Sequence, residues 1–137
     1  MKRVFYFLFV AIFAMSCEEP MGYGSEDPDA LWNTKDFNIN RWTLDRSGEF
    51  YYAEYSVGAL TEYVYRNGII AAYVETNGNY KTPLPYTRFY KEQSGYTWGE
   101  VIDFTFSPGN ITFYATPSDL NTTSAPESLR IRVVMVW

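Results

Sequence analysis

The chain has 137 residues, a net charge of −5, one cysteine and no histidine. A lone thiol without imidazole excludes Cys-His and Ser-His-Asp catalysis, zinc sites built from Cys and His, and any disulfide within the chain. The excess of 16 acidic over 11 basic residues makes nucleic acid a poor partner.

Lys2 and Arg3 open the chain, and an unbroken apolar run, Val4 to Met15, follows. A membrane-spanning helix needs ~20 apolar residues, whereas a secretory signal carries ~7–15. Ala14-Met15-Ser16-Cys17 reads as a lipobox. Residues 1–16 are therefore expected to be a lipoprotein signal peptide, cut before a lipidated Cys17. Diacylglycerol on the thiol and an acyl chain on the new amine give the multi-chain anchoring that one fatty acid cannot. The expected location is the outer membrane, on its periplasmic face or at the cell surface. An uncleaved anchor or a buried core helix is the alternative, and Glu18 and Glu19 argue against a helix continuing through. Cleavage leaves 121 residues with a net charge of −7 and 22 aromatic residues, enough for one core and no second domain.

Residues 17–36 combine Pro, Gly, Ser and acidic side chains without periodicity, which predicts a flexible tether after the lipid. A domain is expected over 37–137. Phe37, Ile39 and Arg41 alternate with polar positions as a first strand. Arg46-Ser47-Gly48 makes a turn. Phe50 to Val57 follows, with Tyr51, Ala53, Tyr55 and Val57 on the core face. Gly58 to Gly68 is a short helical connector, a candidate crossover between sheets, with Thr61 as cap and Asn67-Gly68 as a left-handed stop. Ile69 to Thr76 is strongly β-forming, and Asn77-Gly78-Asn79 turns the chain. Tyr80 to Thr82 is expected to pair back, until Pro83-Leu84-Pro85 interrupts the ladder. Tyr86 to Lys91 reads as an edge strand, and Gln93-Ser94-Gly95 as a turn.

Trp98 to Phe106 places Ile102, Phe104 and Phe106 on one face and Val101, Asp103 and Thr105 on the other. Ser107-Pro108-Gly109-Asn110 is a hairpin turn, and Ile111, Phe113 and Ala115 continue the apolar face. A polar loop over 117–128 leads to a last strand, Leu129 to Trp137. Its end is apolar on both faces, which predicts a central strand covered by a layer on each side. The fold expected is all-β: a two-sheet antiparallel sandwich, immunoglobulin-like or Greek-key, of about seven strands with one short helical connector. A closed barrel is the alternative.

The order of Leu60-Thr61, Val64, Asn67-Gly68, Tyr73, Leu84-Pro85, the Trp98–Phe106 hairpin with Phe113, and the closing Arg130-Ile131-Arg132-Val133-Val134…Trp137 resembles a family of small uncharacterised lipoproteins of the Bacteroidota. The resemblance covers roughly residues 37–137. It implies an all-β domain in the cell envelope and carries no activity or catalytic residue. The collagen-like Gly repeats of some members are not found in this tether.

Paired carboxylates are the one catalytic chemistry left, and Glu54, Glu75, Glu100 and Asp103 lie on or beside strands. The simpler reading makes them solvent-face charges that protect strand edges. Asp119 and Asn121 offer oxygens to Ca²⁺ but lack EF-hand spacing, and an ordinary surface loop is the simpler reading. Trp42, Tyr52, Tyr96 and Trp98 are candidates for a ligand-stacking aromatic platform; the alternative is core filling. Arg130 and Arg132 share a face, to hold an anion or to pair across strands with Glu. The sequence thus leads to a non-enzymatic, lipid-anchored binding, adhesion or structural module, without catalytic, cofactor or metal residues. Its expected partners are the outer membrane through Cys17, and a glycan or another envelope protein. A glycan-binding accessory module and a carboxylate-dependent glycoside hydrolase are the alternatives.

Overall fold

Alternating apolar residues and well-placed turns fold this chain into strands that close over one core. The computed structural model describes residues 31–76 and 80–137. The expected signal segment, Cys17 and the turn expected at Asn77-Gly78-Asn79 lie outside the described residues. Nine strands and one helix occur among them: β1 (Trp32–Ile39), β2 (Thr43–Leu44), β3 (Tyr51–Ser56), α1 (Glu62–Asn67), β4 (Ile69–Thr76), β5 (Tyr80–Pro83), β6 (Tyr86–Lys91), β7 (Thr97–Ser107), β8 (Asn110–Pro117) and β9 (Leu129–Val136).

The strands form two antiparallel sheets, ordered β1-β9-β4-β5 and β2-β3-β8-β7-β6. In the second, β8, β7 and β6 are neighbours in sequence and β3 returns beside β8, a Greek-key order. The sheets face each other as a sandwich. Ile39, Val74, Ile131 and Met135 from the first and Ile102, Ile111 and Phe113 from the second are all at most 1% exposed. Each such side chain contributes about 1.5–3 kcal/mol by leaving water. Phe113 is central, with Phe37, Tyr55 and Phe104 around it at centroid distances of 5.2, 6.1 and 6.5 Å.

Tyr51, Ala53 and Val57 are buried on the core face, as their alternation requires. The helix is the crossover between sheets, leaving β3 of one and entering β4 of the other. Thr61 caps it by accepting a hydrogen bond from the Val64 amide. Pro83-Leu84-Pro85 does more than interrupt a ladder: there the chain passes from the first sheet to the edge of the second.

Three expectations need correction, and one strand is an addition. The first strand starts at Trp32 rather than Phe37, so the last five residues assigned to the tether belong to it. They pair with β9, from Trp32↔Val136 to Asp36↔Arg132, and Arg132 grips Asp36 through two hydrogen bonds of 2.6 and 2.7 Å. Gly68 is not a left-handed stop, since its φ is −92°. Glycine is needed there for space: a Cβ would lie 2.6 Å from the Val64 carbonyl oxygen and 2.9 Å from that of Val136. β9 is central, between β1 and β4, but only its inner face is covered, and Val136 is 44% exposed. β2, two residues long, gave no sequence signal.

Candidate functional site

Residues of alternate parity on β6 and β7 point inward near one end of the sandwich, and the most informative of them are charged. Tyr86, Arg88 and Tyr90 are the half-buried positions of β6. Arg88 pairs directly with Glu100 of β7. Glu100 is the buried charged residue among those described, at 4% exposure, so for this carboxylate the solvent-face reading is wrong. Its position shares the parity of Ile102, Phe104 and Phe106, and parity sends it inward.

Arg88 Nε donates to Glu100 Oε2 at 2.6 Å. Nη2 lies 2.6 Å from the same oxygen, yet it is buried and makes no hydrogen bond. The two observations agree once charge and geometry are separated. Nη2 is an ion-pair contact whose N–H bonds are not aimed at that oxygen. Its charge is met by that carboxylate, and the nitrogen is shielded from solvent. On its other side Nη1 donates to Glu127 at 3.3 Å, a rim contact with a carboxylate that is 76% exposed.

Aromatic rings extend the cluster. The Arg88 guanidinium lies 5.3 Å from the Tyr90 ring centre, within cation–π range. Tyr90 stacks on Trp98 with centroids 4.4 Å apart. Burial pushes the Tyr90 hydroxyl up to about 12, with Glu100 and Glu127 adding to the rise and Arg88 opposing it. Tyr90 is therefore a neutral phenol at physiological pH. Trp42 Nε1 donates to the Glu127 carbonyl at 3.3 Å, which fixes the end of the loop that brings Glu127 to the cleft. Tyr51 and Thr122 pin the middle of the same loop, through Tyr51 Oη to the Thr122 carbonyl at 2.6 Å and Thr122 Oγ1 to the Gly48 carbonyl at 2.7 Å.

Arg88 opens onto a cleft of about 730 Å³ between the ends of the two sheets, within the ~300–1,000 Å³ of small-molecule sites. Asn38, Asn40, Glu75, Ser128 and Arg130 bring polar groups from the opposite sheet and the loop. Three of the rim groups hold one another: Arg130 donates to Glu75 at 3.1 Å and to Asn38 at 3.3 Å. The cross-strand reading of Arg130 and Arg132 thus holds, with acidic partners on β4 and β1. Glu100 lies behind Arg88 and does not line the cleft.

The four aromatic candidates do not share one surface. Trp42 and Trp98 flank the Arg88 cluster, both half-buried. Tyr96 is exposed in the turn between β6 and β7. Tyr52 lies on the outward face of the five-stranded sheet, opposite Tyr114, which Phe50 meets edge-on at 5.8 Å. Glu54 and Asp103 are exposed on that outward face as well. Asp119 and Asn121 use their side-chain oxygens to accept from the backbone amides two residues ahead, closing successive turns. Parity on two paired strands was the signal for Arg88 and Glu100; that the loop brings Glu127 to them has no signature in the sequence. No family model, curated protein or solved structure matches this chain.

Proposed function

We propose that this protein is a lipid-anchored binding module of the outer membrane whose cleft takes a short, neutral saccharide. The cleft carries the binding reading. It offers guanidinium, carboxylate, amide and hydroxyl groups within one small volume, and charges that neutralise each other in pairs. Sugar hydroxyls both donate and accept, so they suit such a mixed lining better than a net anion or cation does. Tyr90 presents a protonated phenol at the cleft. Ala14-Met15-Ser16-Cys17 supports the anchor.

Hydrolysis is the weaker reading. It needs a carboxylic acid with a proton to give and a second carboxylate across the bond. Glu100 and Glu127 are both ion-paired to Arg88, and Glu75 to Arg130. Carboxylates so engaged serve better as fixed acceptors than as acids.

The binding reading is tested by a glycan array probed with the chain beginning at Cys17, beside Asn40→Ala and Arg130→Ala. Both substitutions lie at the cleft rim and spare the buried pair. Binding that weakens about tenfold in Arg130→Ala, at the ~1.5 kcal/mol of a hydrogen bond to a charged group, and about fivefold in Asn40→Ala, at the ~1 kcal/mol of a neutral one, supports the reading. Absence of binding, or binding indifferent to both variants, contradicts it. The anchor is tested by fractionation of cells expressing Cys17→Ala, which is expected in the soluble fraction. Continued sedimentation with outer membrane contradicts lipidation.

A further inference from the structure

The outward face of the four-stranded sheet is divided along its length. At one end Trp32, Val136 and Ile69 form a row across β1, β9 and β4. They are 42%, 44% and 72% exposed, and Leu31 beside them is 66% exposed. The next row, Thr34, Val134 and Ala71, carries no charge either. At the other end the row is Asn38, Arg130, Glu75 and Lys81, and there the cleft opens. Along β4, Ile69 and Glu75 are six residues apart, about 20 Å at the rise of a strand.

The apolar end is where the chain arrives from Cys17. Leu31 is tied into the fold there, its carbonyl accepting from the Trp137 amide at 2.9 Å. Cys17 lies fourteen positions earlier, a distance of at most ~50 Å along the chain. A lipid on Cys17 therefore holds this end of the sandwich within reach of the bilayer surface.

We propose that Leu31, Trp32, Ile69 and Val136 form a collar that rests in the bilayer interface and turns the cleft away from the membrane. The proposal rests on the reading that Cys17 is lipidated. Three observations favour a bilayer over another protein. The collar includes a tryptophan, a residue suited to the interface because its ring is apolar and its N–H polar. No charged side chain stands in its first two rows. The collar is four residues, far fewer than the ~20–30 that each partner gives to a stable protein interface. A patch of that size is a weak membrane binder alone and an effective one beside a lipid tether, which keeps its local concentration high.

The test uses the expected mature chain, 17–137. Cys17 is the only cysteine, so it couples specifically to a maleimide headgroup lipid in phosphatidylcholine vesicles. That supplies the tether whether or not cells lipidate the residue, so failure of the collar and failure of the anchor are separate results. Vesicles with brominated acyl chains quench tryptophans that reach the interface. Quenching is expected in the native chain, to fall at least twofold in Trp32→Phe, and to fall comparably in Ile69→Glu and Ile69→Ser. Equal quenching in the native and Trp32→Phe chains overturns the proposal. So does a dimer of the uncoupled chain, seen by sedimentation, that Ile69→Glu dissociates, for the patch is then a protein interface. Folding of each variant is checked by its thermal midpoint, and Trp32→Phe, the mildest change, decides the outcome if the Ile69 variants melt early.

Discussion

Replacing Arg88 with methionine keeps most of the side-chain volume and removes the guanidinium. Glu100 is then left behind it, with its carboxylate 6% exposed and without its cation. Breaking one half of a buried ion pair costs about 3–5 kcal/mol, because the partner charge stays desolvated. The lower end applies here, since Arg88 itself is 17% exposed and the contact with the solvated Glu127 adds little. A loss of about 3 kcal/mol in a domain of this size lowers the thermal midpoint by roughly 15 °C. Urea denaturation is the assay: the midpoint should fall with an unchanged m-value, which marks a change of stability rather than of compactness. The double variant Arg88→Met/Glu100→Met removes both charges and should recover most of the loss, as apolar replacement of a whole pair often does. A single variant that costs less than about 1 kcal/mol, or a double variant worse than the single, refutes the claim that the pair is buried and interdependent.

Three further outcomes follow from the fold. Asp36→Asn should cost about 0.5–1 kcal/mol near neutral pH, the scale of a good surface ion pair. The side-chain hydrogen bonds from Arg132 hold the Asp36 carboxyl below its ordinary value of 3.8. The pair's contribution is therefore complete above that value and lost as pH falls through the lowered one, so native and variant melting points should converge on acidification. Convergence at alkaline pH instead contradicts this. Gly68→Ala should destabilise by about 1–3 kcal/mol, because its Cβ meets two backbone carbonyls rather than a movable side chain; an unchanged urea midpoint shows that the helix end has room. Deleting Val134 to Trp137 removes the fully buried Met135 and the partner of β1 and β4. That chain should be unfolded or insoluble, and a cooperative thermal transition in soluble material refutes the central placement of β9.

Much of the fold is legible because strands of period two show which residues face a core. Tyr51, Ala53 and Val57, or Ile111, Phe113 and Ala115, can face only one way once the turns around them are fixed by glycine and proline. The start of β1 was hidden for the converse reason. Trp32, Thr34 and Asp36 face outward and Asn33 and Lys35 are not apolar, so no alternation marks them. They form a strand because β9, nearly a hundred residues later, pairs with them and offers Arg132 to Asp36. Local sequence carries no trace of such a partner.

The site was half legible. Glu100 has the parity of the apolar face, yet a carboxylate reads as solvent-facing until a cation is found for it, and Arg88 is found only through the register of β6 on β7. The aromatic candidates scattered because alternation within one strand says which residues share a face, not whether that face is inside or outside the sandwich. Trp98 and Tyr52 fall on opposite sides of the same sheet for that reason. At Gly68 the residue type was informative and the cause was not: the crowding comes from the Val136 carbonyl, distant in sequence.

The measurement that tests the central claim most directly is a titration of isotopically labelled chain 17–137 with a panel of short neutral saccharides, followed by amide chemical shifts. The account predicts that a binding saccharide moves a contiguous set of amides at the cleft, including Asn38, Asn40, Tyr90 and Ser128. Shifts centred instead on Tyr52 and Tyr114 would place the ligand on the outward face of the five-stranded sheet, and no shift with any saccharide would remove the glycan-binding reading altogether; either result contradicts the account.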